Sequence, residues 1–138
     1  MHWMKAAGAA VLAAGLMSCS GGKYSDAKSA MSEQASAMED FTAGMEKAGS
    51  GKEVAAALDR YADRMGAMIE QGQKIKAKYE GVNLETAPEL QAERDRIQQA
   101  ASKFGQVFMK IGMQYGNDPD VRAALQKWQA ISAKATAP

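Results

Sequence analysis

Histidine is nearly absent from this chain. His2 is the only one among 138 residues, and it stands at the extreme N-terminus. That scarcity excludes a zinc or haem site built on imidazole, and it leaves Ser-His-Asp or Cys-His catalysis without a base in the body of the chain. Cysteine occurs once, at Cys19, so no disulfide can close within the chain. Neither sign of charge is in excess, with 17 Lys and Arg against 16 Asp and Glu. A nucleic-acid binder would carry a basic stripe, and no nucleic-acid partner is expected here. The densest cations, Lys74, Lys76 and Lys78, fall near an expected helix C-terminus, where they meet the negative end of the helix dipole. The glycines form no phosphate-loop pattern, and no segment alternates β-branched and aromatic residues as a strand would.

The first feature that is present lies at the N-terminus. Lys5 is the only charged residue before Lys23, and Ala6 to Met17 is an uncharged run of twelve residues. That length suits a signal-peptide core and falls short of the roughly 20 residues that span a bilayer. The run ends Leu16-Met17-Ser18-Cys19, followed by Ser20-Gly21-Gly22.

This ending resembles the lipobox of bacterial lipoproteins. The resemblance implies that residues 1–18 are a cleaved signal peptide, with cleavage between Ser18 and Cys19. It implies a diacylglycerol on the Cys19 thiol through a thioether, and an N-acyl chain such as palmitate on the new amino group. The membrane would then be the protein's first partner, through a lipid anchor facing the periplasm. Ser20, where Asp would retain a Gram-negative lipoprotein at the inner membrane, implies the outer membrane for a Gram-negative source. Two or three acyl chains, at about 0.8 kcal/mol per buried methylene, give stable anchoring. The other readings of this segment are a cleaved soluble protein with an incidental Cys19, or a buried Ala-rich helix.

After residues 19–24, an acylated Cys and short tether, residues 25–135 read as one domain of four helices. The first helix, about 25–48, carries Tyr24, Ala27, Met31, Met38, Phe41, Met45 and Ala48 on one stripe, with Gln34 its polar member. Gly49 is a natural stop. Ser50-Gly51-Lys52-Glu53 fits a capping box, with Glu53 returning to the Ser50 amide, and opens a second helix to about residue 80. Its stripe is Val54, Leu58, Tyr61, Met65, Met68, Gly72, Ile75 and Tyr79. Gly81 ends it.

Thr86-Ala87-Pro88-Glu89 reads as a second capping box for a helix over about 87–115, with Leu90, Ile97, Ala101, Phe104, Phe108, Ile111 and Tyr115 inward. Asp118-Pro119 caps a fourth helix, about 119–134, bearing Val121, Leu125, Trp128 and Ile131. Residues 136–138 are expected to fray. The fold class is therefore all-α, an up-down-up-down four-helix bundle after a cleaved signal peptide. A three-helix core with a loose fourth helix is the alternative.

Lengths predict an opening. At about 1.5 Å per residue the second and third helices span roughly 40–45 Å and the fourth about 25 Å. The fourth should stop short of the end near Cys19, leaving Tyr24, Ala27, Ile75, Tyr79 and Leu90 along an incompletely covered seam for a partner or ligand. The loop 81–85 folding over the gap would close it.

Candidate chemistry is sparse. Glu89, Glu93, Asp59 and Asp63 have helical spacing but lie off the apolar stripes and read as a solvated face. Arg94 falls on the third stripe, where it either snorkels out or pairs with an acid on another helix. Met65 and Met68 are candidate soft ligands for Cu(I), against a reading as adaptable core filler. Gly66, Gly72, Gly105 and Gly112 either let helices approach closely or leave room for a ligand or a second subunit. No catalytic residue and no cofactor beyond the lipid is expected.

Two weaker resemblances cover parts of the domain. Met38-Glu39-Asp40-Phe41, Met45-Glu46-Lys47-Ala48 and Val54-Ala55-Ala56-Ala57-Leu58 are similar to the first hairpin of periplasmic four-helix-bundle b-type cytochromes. That family ligates haem partly through a His on its last helix. The fourth helix here has none, so the likeness implies the fold and not the haem. In size and helix content the chain also resembles pilotins, which escort secretin subunits by holding a helix in an apolar groove.

The expected function is that of a non-enzymatic lipoprotein acting by contact with a protein partner in envelope structure, assembly or escort. The alternative is a carrier for an apolar small molecule or Cu(I). The partner's identity and the oligomeric state are not legible in the sequence.

Overall fold

The computed structural model describes residues 22–136. Residues 1–21, which include Cys19 and the segment expected to be a signal peptide, and residues 137–138 lie outside the described residues. The described chain is all-α, with helices α1 (Ser25–Lys47), α2 (Gly51–Lys78), α3 (Gln91–Tyr115) and α4 (Pro119–Ala135), and a 3-10 turn, Pro88–Leu90, leading into α3.

Local chemistry sets the ends of these helices. The Ser50 hydroxyl accepts the Glu53 amide at 3.2 Å and starts α2. Glu53 returns one residue further than a standard capping box, taking the Gly49 amide at 2.6 Å in place of that of Ser50. Gly81, at φ 83, is the left-handed residue that turns the chain after α2. Asp118 accepts the amides of Asp120 and Val121 and starts α4 ahead of Pro119. The second expected capping box does not form. Ala87 precedes the 3-10 turn without a side-chain cap. Thr86 instead donates its hydroxyl to the Asn83 carbonyl at 3.4 Å. Burial of Ala87 and Leu90 draws the chain inward here, and a tight turn takes the place of a capped start.

Chain direction alternates from helix to helix, while spatial neighbours differ from sequence neighbours. The closest helix pairs are α2 with α4, α1 with α3, and α1 with α2. Ion pairs mark the register of each. Arg64 on α2 grips Glu33 and Asp40 on α1 at 2.7 and 2.6 Å, and Lys78 reaches Asp26 at 2.6 Å, so α1 and α2 are antiparallel. Lys23 pairs with Glu89 at 3.6 Å and Arg96 with Glu39 at 2.8 Å, so α3 lies parallel to α1. Lys127 sits 3.0 Å from Asp63, with Gly51 at the start of α2 beside Asp118 at the start of α4, so α4 lies parallel to α2. Residues 79–87 therefore carry the chain across the bundle to the far side of α1, where an expectation of sequential packing would have placed α3 against α2.

This arrangement explains which faces are buried. α1 has neighbours on two sides, so Ala35 and Ala37 are buried beside Phe41, a wider band than one heptad stripe. On α3 it is Ala100 that is buried, while Ala101, assigned inward by periodicity, is exposed. The main core joins Phe41, Val54, Leu58, Tyr61, Ile111, Val121 and Ala124. Phe104, half-buried, packs against it, with its ring 5.0 Å from both Phe41 and Tyr61 and 5.7 Å from Phe108, which in turn lies 5.2 Å from Trp128. One aromatic chain thus touches all four helices.

The glycines do not mediate close approach. A Cβ at Gly72, Gly105 or Gly112 would meet nothing within 4 Å, and one at Gly66 would make only ordinary contact with Ile131. At Gly51 a Cβ would collide with the Asp118 carboxylate that caps α4, and at Gly116 with the Gly112 carbonyl of its own helix.

Two neighbouring positions give opposite expectations. Phe104→Ala should destabilise the domain by about 2–4 kcal/mol, since it empties the junction of the four helices. Gly105→Ala should stabilise it by about 0.5–1 kcal/mol through helix propensity alone. Chemical denaturation of both variants measures the two effects; a Phe104→Ala loss below about 1 kcal/mol would place the core elsewhere.

Candidate functional site

The site arises where α4 runs out. Its 17 residues lie beside the 28 of α2. Ile131, in its last turns, is level with Gly66 of α2. Lys134, one turn further, still stands beside Glu70 and Gln73; past it only three helices remain, and no residue of α2 after Ala62 is fully buried.

A cavity of about 690 Å³ occupies the space between α1, α2 and α3. Ala27, Ala30, Met31 and Gln34 of α1 form one wall and Met68, Gly72 and Ile75 of α2 another. Leu90, Arg94, Ile97 and Gln98 form the third, with Leu84 and Glu85 of the α2–α3 connection closing the end. No residue of α4 contributes. A shallower depression of about 580 Å³ continues past Ile75 and Leu84 to Tyr79 and Val82, and Val82 is 43% exposed.

The expected groove is therefore shifted. Ala27, Ile75 and Leu90 do line the cavity, but Tyr24 and Tyr79 do not. Those two close the extreme end, edge to face at 5.2 Å. They pack with Leu84 against a second, smaller core of Ala27, Ala87 and Leu90. The connection between α2 and α3 folds over the end, and the opening lies deeper, against Met31, Met68, Gly72 and Ile97. All four belong to the stripes read from the sequence; periodicity placed them in a seam but did not show that the seam lacks a fourth wall.

Arg94 holds that closure. It neither snorkels nor meets an acid. Its guanidinium donates to the carbonyls of Leu84 at 3.2 Å and Ala87 at 2.9 Å, and to the Gln91 side chain at 2.7 Å. The connecting segment is thus pinned by charge-assisted bonds to its own backbone.

A second strap ties α1 to the end of α2. Asp26 accepts from Lys78 at 2.6 Å and from the Tyr79 hydroxyl. These two bonds hold its carboxyl down to about 2. Lys78 and Tyr79 are correspondingly raised, in each case chiefly by the bond to Asp26. Next to it, Tyr24 enters α1 in the left-handed region at φ 62. This strained entry is held by its packing on Tyr79 and by the Lys28 amide, which donates to the Tyr24 carbonyl at 2.9 Å.

The other candidates separate. Asp59 and Asp63 face Lys127, and Glu89 faces Lys23. Glu93 departs from the solvated reading: one carboxylate oxygen is buried without a hydrogen-bond partner. Met65 and Met68 both pack against the main core, and only Met68 also reaches the cavity, across from Met31. Among the described residues no three of His, Cys, Asp and Glu gather as a metal site, and no helix is long and apolar enough to cross a membrane.

No family model matches the chain, and no curated protein or solved structure matches it either.

The strap has a defined pH window. Asp26 is ordinary at 3.8 and about 2 when folded, so its contribution is complete above 3.8 and lost as pH falls towards 2. At the alkaline side the contribution fades above 10.0 and 10.5, the ordinary values of Tyr79 and Lys78, as these raised groups lose their protons. Asp26→Asn should be less stable than the parent across that plateau and equal to it below pH 2. Parallel acid and thermal unfolding curves check this; a constant difference down to pH 1.5 would show that the strap does not depend on the Asp26 charge.

Proposed function

We propose that this chain is a lipoprotein of the bacterial envelope, held to a membrane by acylated Cys19 and facing the periplasm. It acts by non-covalent contact with a protein partner, in envelope structure, assembly or escort, and not by catalysis. The observation that carries this reading is the apolar cavity between α1, α2 and α3, at the end of the bundle where the chain enters from Cys19. A cleft bounded by Met31, Met68 and Ile75 offers the soft, adaptable surface that accepts an apolar helix face. The anchor would set this end against the membrane surface. At most about 17 Å of chain separates Cys19 from Tyr24, five residues on.

The size of the cavity favours a second reading, a carrier for an apolar small molecule. Its volume of about 690 Å³ lies within the roughly 300–1,000 Å³ of small-ligand pockets. Native mass spectrometry of protein taken gently from cells separates the two: a retained small molecule supports the carrier, and a crosslinked partner peptide on α2 or α3 supports the contact protein.

The anchor and the cavity are tested separately. Cys19→Ser should move the chain from the membrane fraction to the soluble one; a variant that stays on the membrane overturns the lipoprotein reading. Gly72→Leu places a side chain in the cavity where a Cβ meets nothing, and replaces a poor helix former. It should keep or raise stability while abolishing partner capture, measured by thermal unfolding and by pull-down with the identified partner.

A further inference from the structure

We propose that the cavity between α1, α2 and α3 seats an acyl chain carried by the protein's own Cys19 whenever the anchor is away from a bilayer. The inference rests on the reading of Cys19 as a lipidated residue, and adds to it an occupant for the cavity.

Cys19 stands three residues before Gly22, the first described residue, so about 10 Å of extended backbone separates them at most. Gly22 is fixed at the bundle's end by a turn in which the Ser25 amide donates to its carbonyl at 3.1 Å. Tyr24 belongs to the small core that closes this end, and Ala27, one turn further, is already on the cavity wall. An acyl chain on Cys19 therefore starts within reach of this opening and far from any surface at the other end of the bundle.

The shape and polarity of the cavity fit a hydrocarbon chain. Most of the wall is apolar, with unbranched thioethers at Met31 and Met68, Ile75 and Ile97, and the bare backbone of Gly72; Gln34, Glu85, Arg94 and Gln98 are its polar members. The one cation on the wall, Arg94, is engaged within the chain, donating to the Leu84 and Ala87 carbonyls and to the Gln91 side chain. With Arg94 bonded to its own connection and Glu85 adding a negative charge to the same wall, a carboxylate head is disfavoured and a chain whose head is a neutral thioether or amide is suited. Exposed methylenes are costly in water, and a bilayer would compete for them on similar terms. Occupancy is thus expected while the lipid is between membranes, and insertion of the lipid would free the cavity for the contact proposed above.

The test uses the full acylated chain, with methionine replaced by its diazirine analogue, released from membranes into detergent-free buffer and irradiated. Met31 and Met68 line the cavity, while Met109 and Met113 are 68% and 82% exposed and serve as internal controls. The expected result is a crosslink within one chain from Met31 or Met68 to the lipid on the Cys19 peptide, absent from Met109 and Met113 and lost in Gly72→Leu. Intact lipid with no such crosslink, with crosslinks equally at Met109 and Met113, or with crosslinks only between chains in a mixture of light and heavy protein, overturns the seat and leaves the lipoprotein reading standing. A Cys19 peptide without lipid overturns both.

Discussion

Phe104 is the point on which this bundle depends. Its ring lies against Phe41 of α1 and Tyr61 of α2, and through Phe108 the same cluster reaches Trp128 of α4. Each such aromatic contact contributes about 0.5–1.5 kcal/mol beyond the area it buries. The cluster also substitutes for close backbone packing between α3 and α4, which are not among the closest helix pairs and meet through these large side chains. On one side of the cluster, Val54, Leu58, Ile111 and Val121 complete a four-helix core. On the other side the core has only three helices to draw on.

That asymmetry turns a length difference into a site. α4 ends near the level of Glu70, and the residues of α2 beyond it face a space that no helix fills. The chain covers the outermost part with the α2–α3 connection, pinned by Arg94, and with the Tyr24–Tyr79 pair, strapped by Asp26 and Lys78. Such exposed ion pairs contribute little stability individually, at about 0–1 kcal/mol. Their effect here is geometric: they fix the end of the bundle, so that the unfilled volume is enclosed at the tip and lies along the side of the helices.

Helix ends are legible in the sequence where a side chain satisfies an orphan amide, as at Ser50 and Asp118, because that chemistry is local. They are not legible at Thr86, whose hydroxyl is drawn into a turn with Asn83 once Leu90 is buried. Helix adjacency is out of reach because an apolar stripe reports that a face is covered and not by which neighbour. The wide buried band on α1 and the exchange of Ala101 for Ala100 both follow from α1 having two partners. The shortness of α4 is visible as a count of residues, and it locates the opening to the correct half of the bundle. Tyr24 and Tyr79 fall outside the cavity, against expectation, because the connection that covers them owes its path to Arg94, a residue whose partners are carbonyls and leave no signature in sequence.

The wall of the cavity carries a stability cost of its own. Gly72 gives up about 1 kcal/mol relative to alanine inside a helix. Nothing in the backbone requires glycine at this position, since a Cβ would meet no atom within 4 Å. The same is true of Gly105 and Gly112, and all three are exposed, but only Gly72 lines the space between α1, α2 and α3. A sequence shaped by stability alone would fill the gap at Gly72, and departures of this kind concentrate where a protein binds something. The unfilled wall at Gly72 lies toward the end of the bundle from which Cys19 is three residues removed, whereas Gly105 and Gly112 stand apart from it.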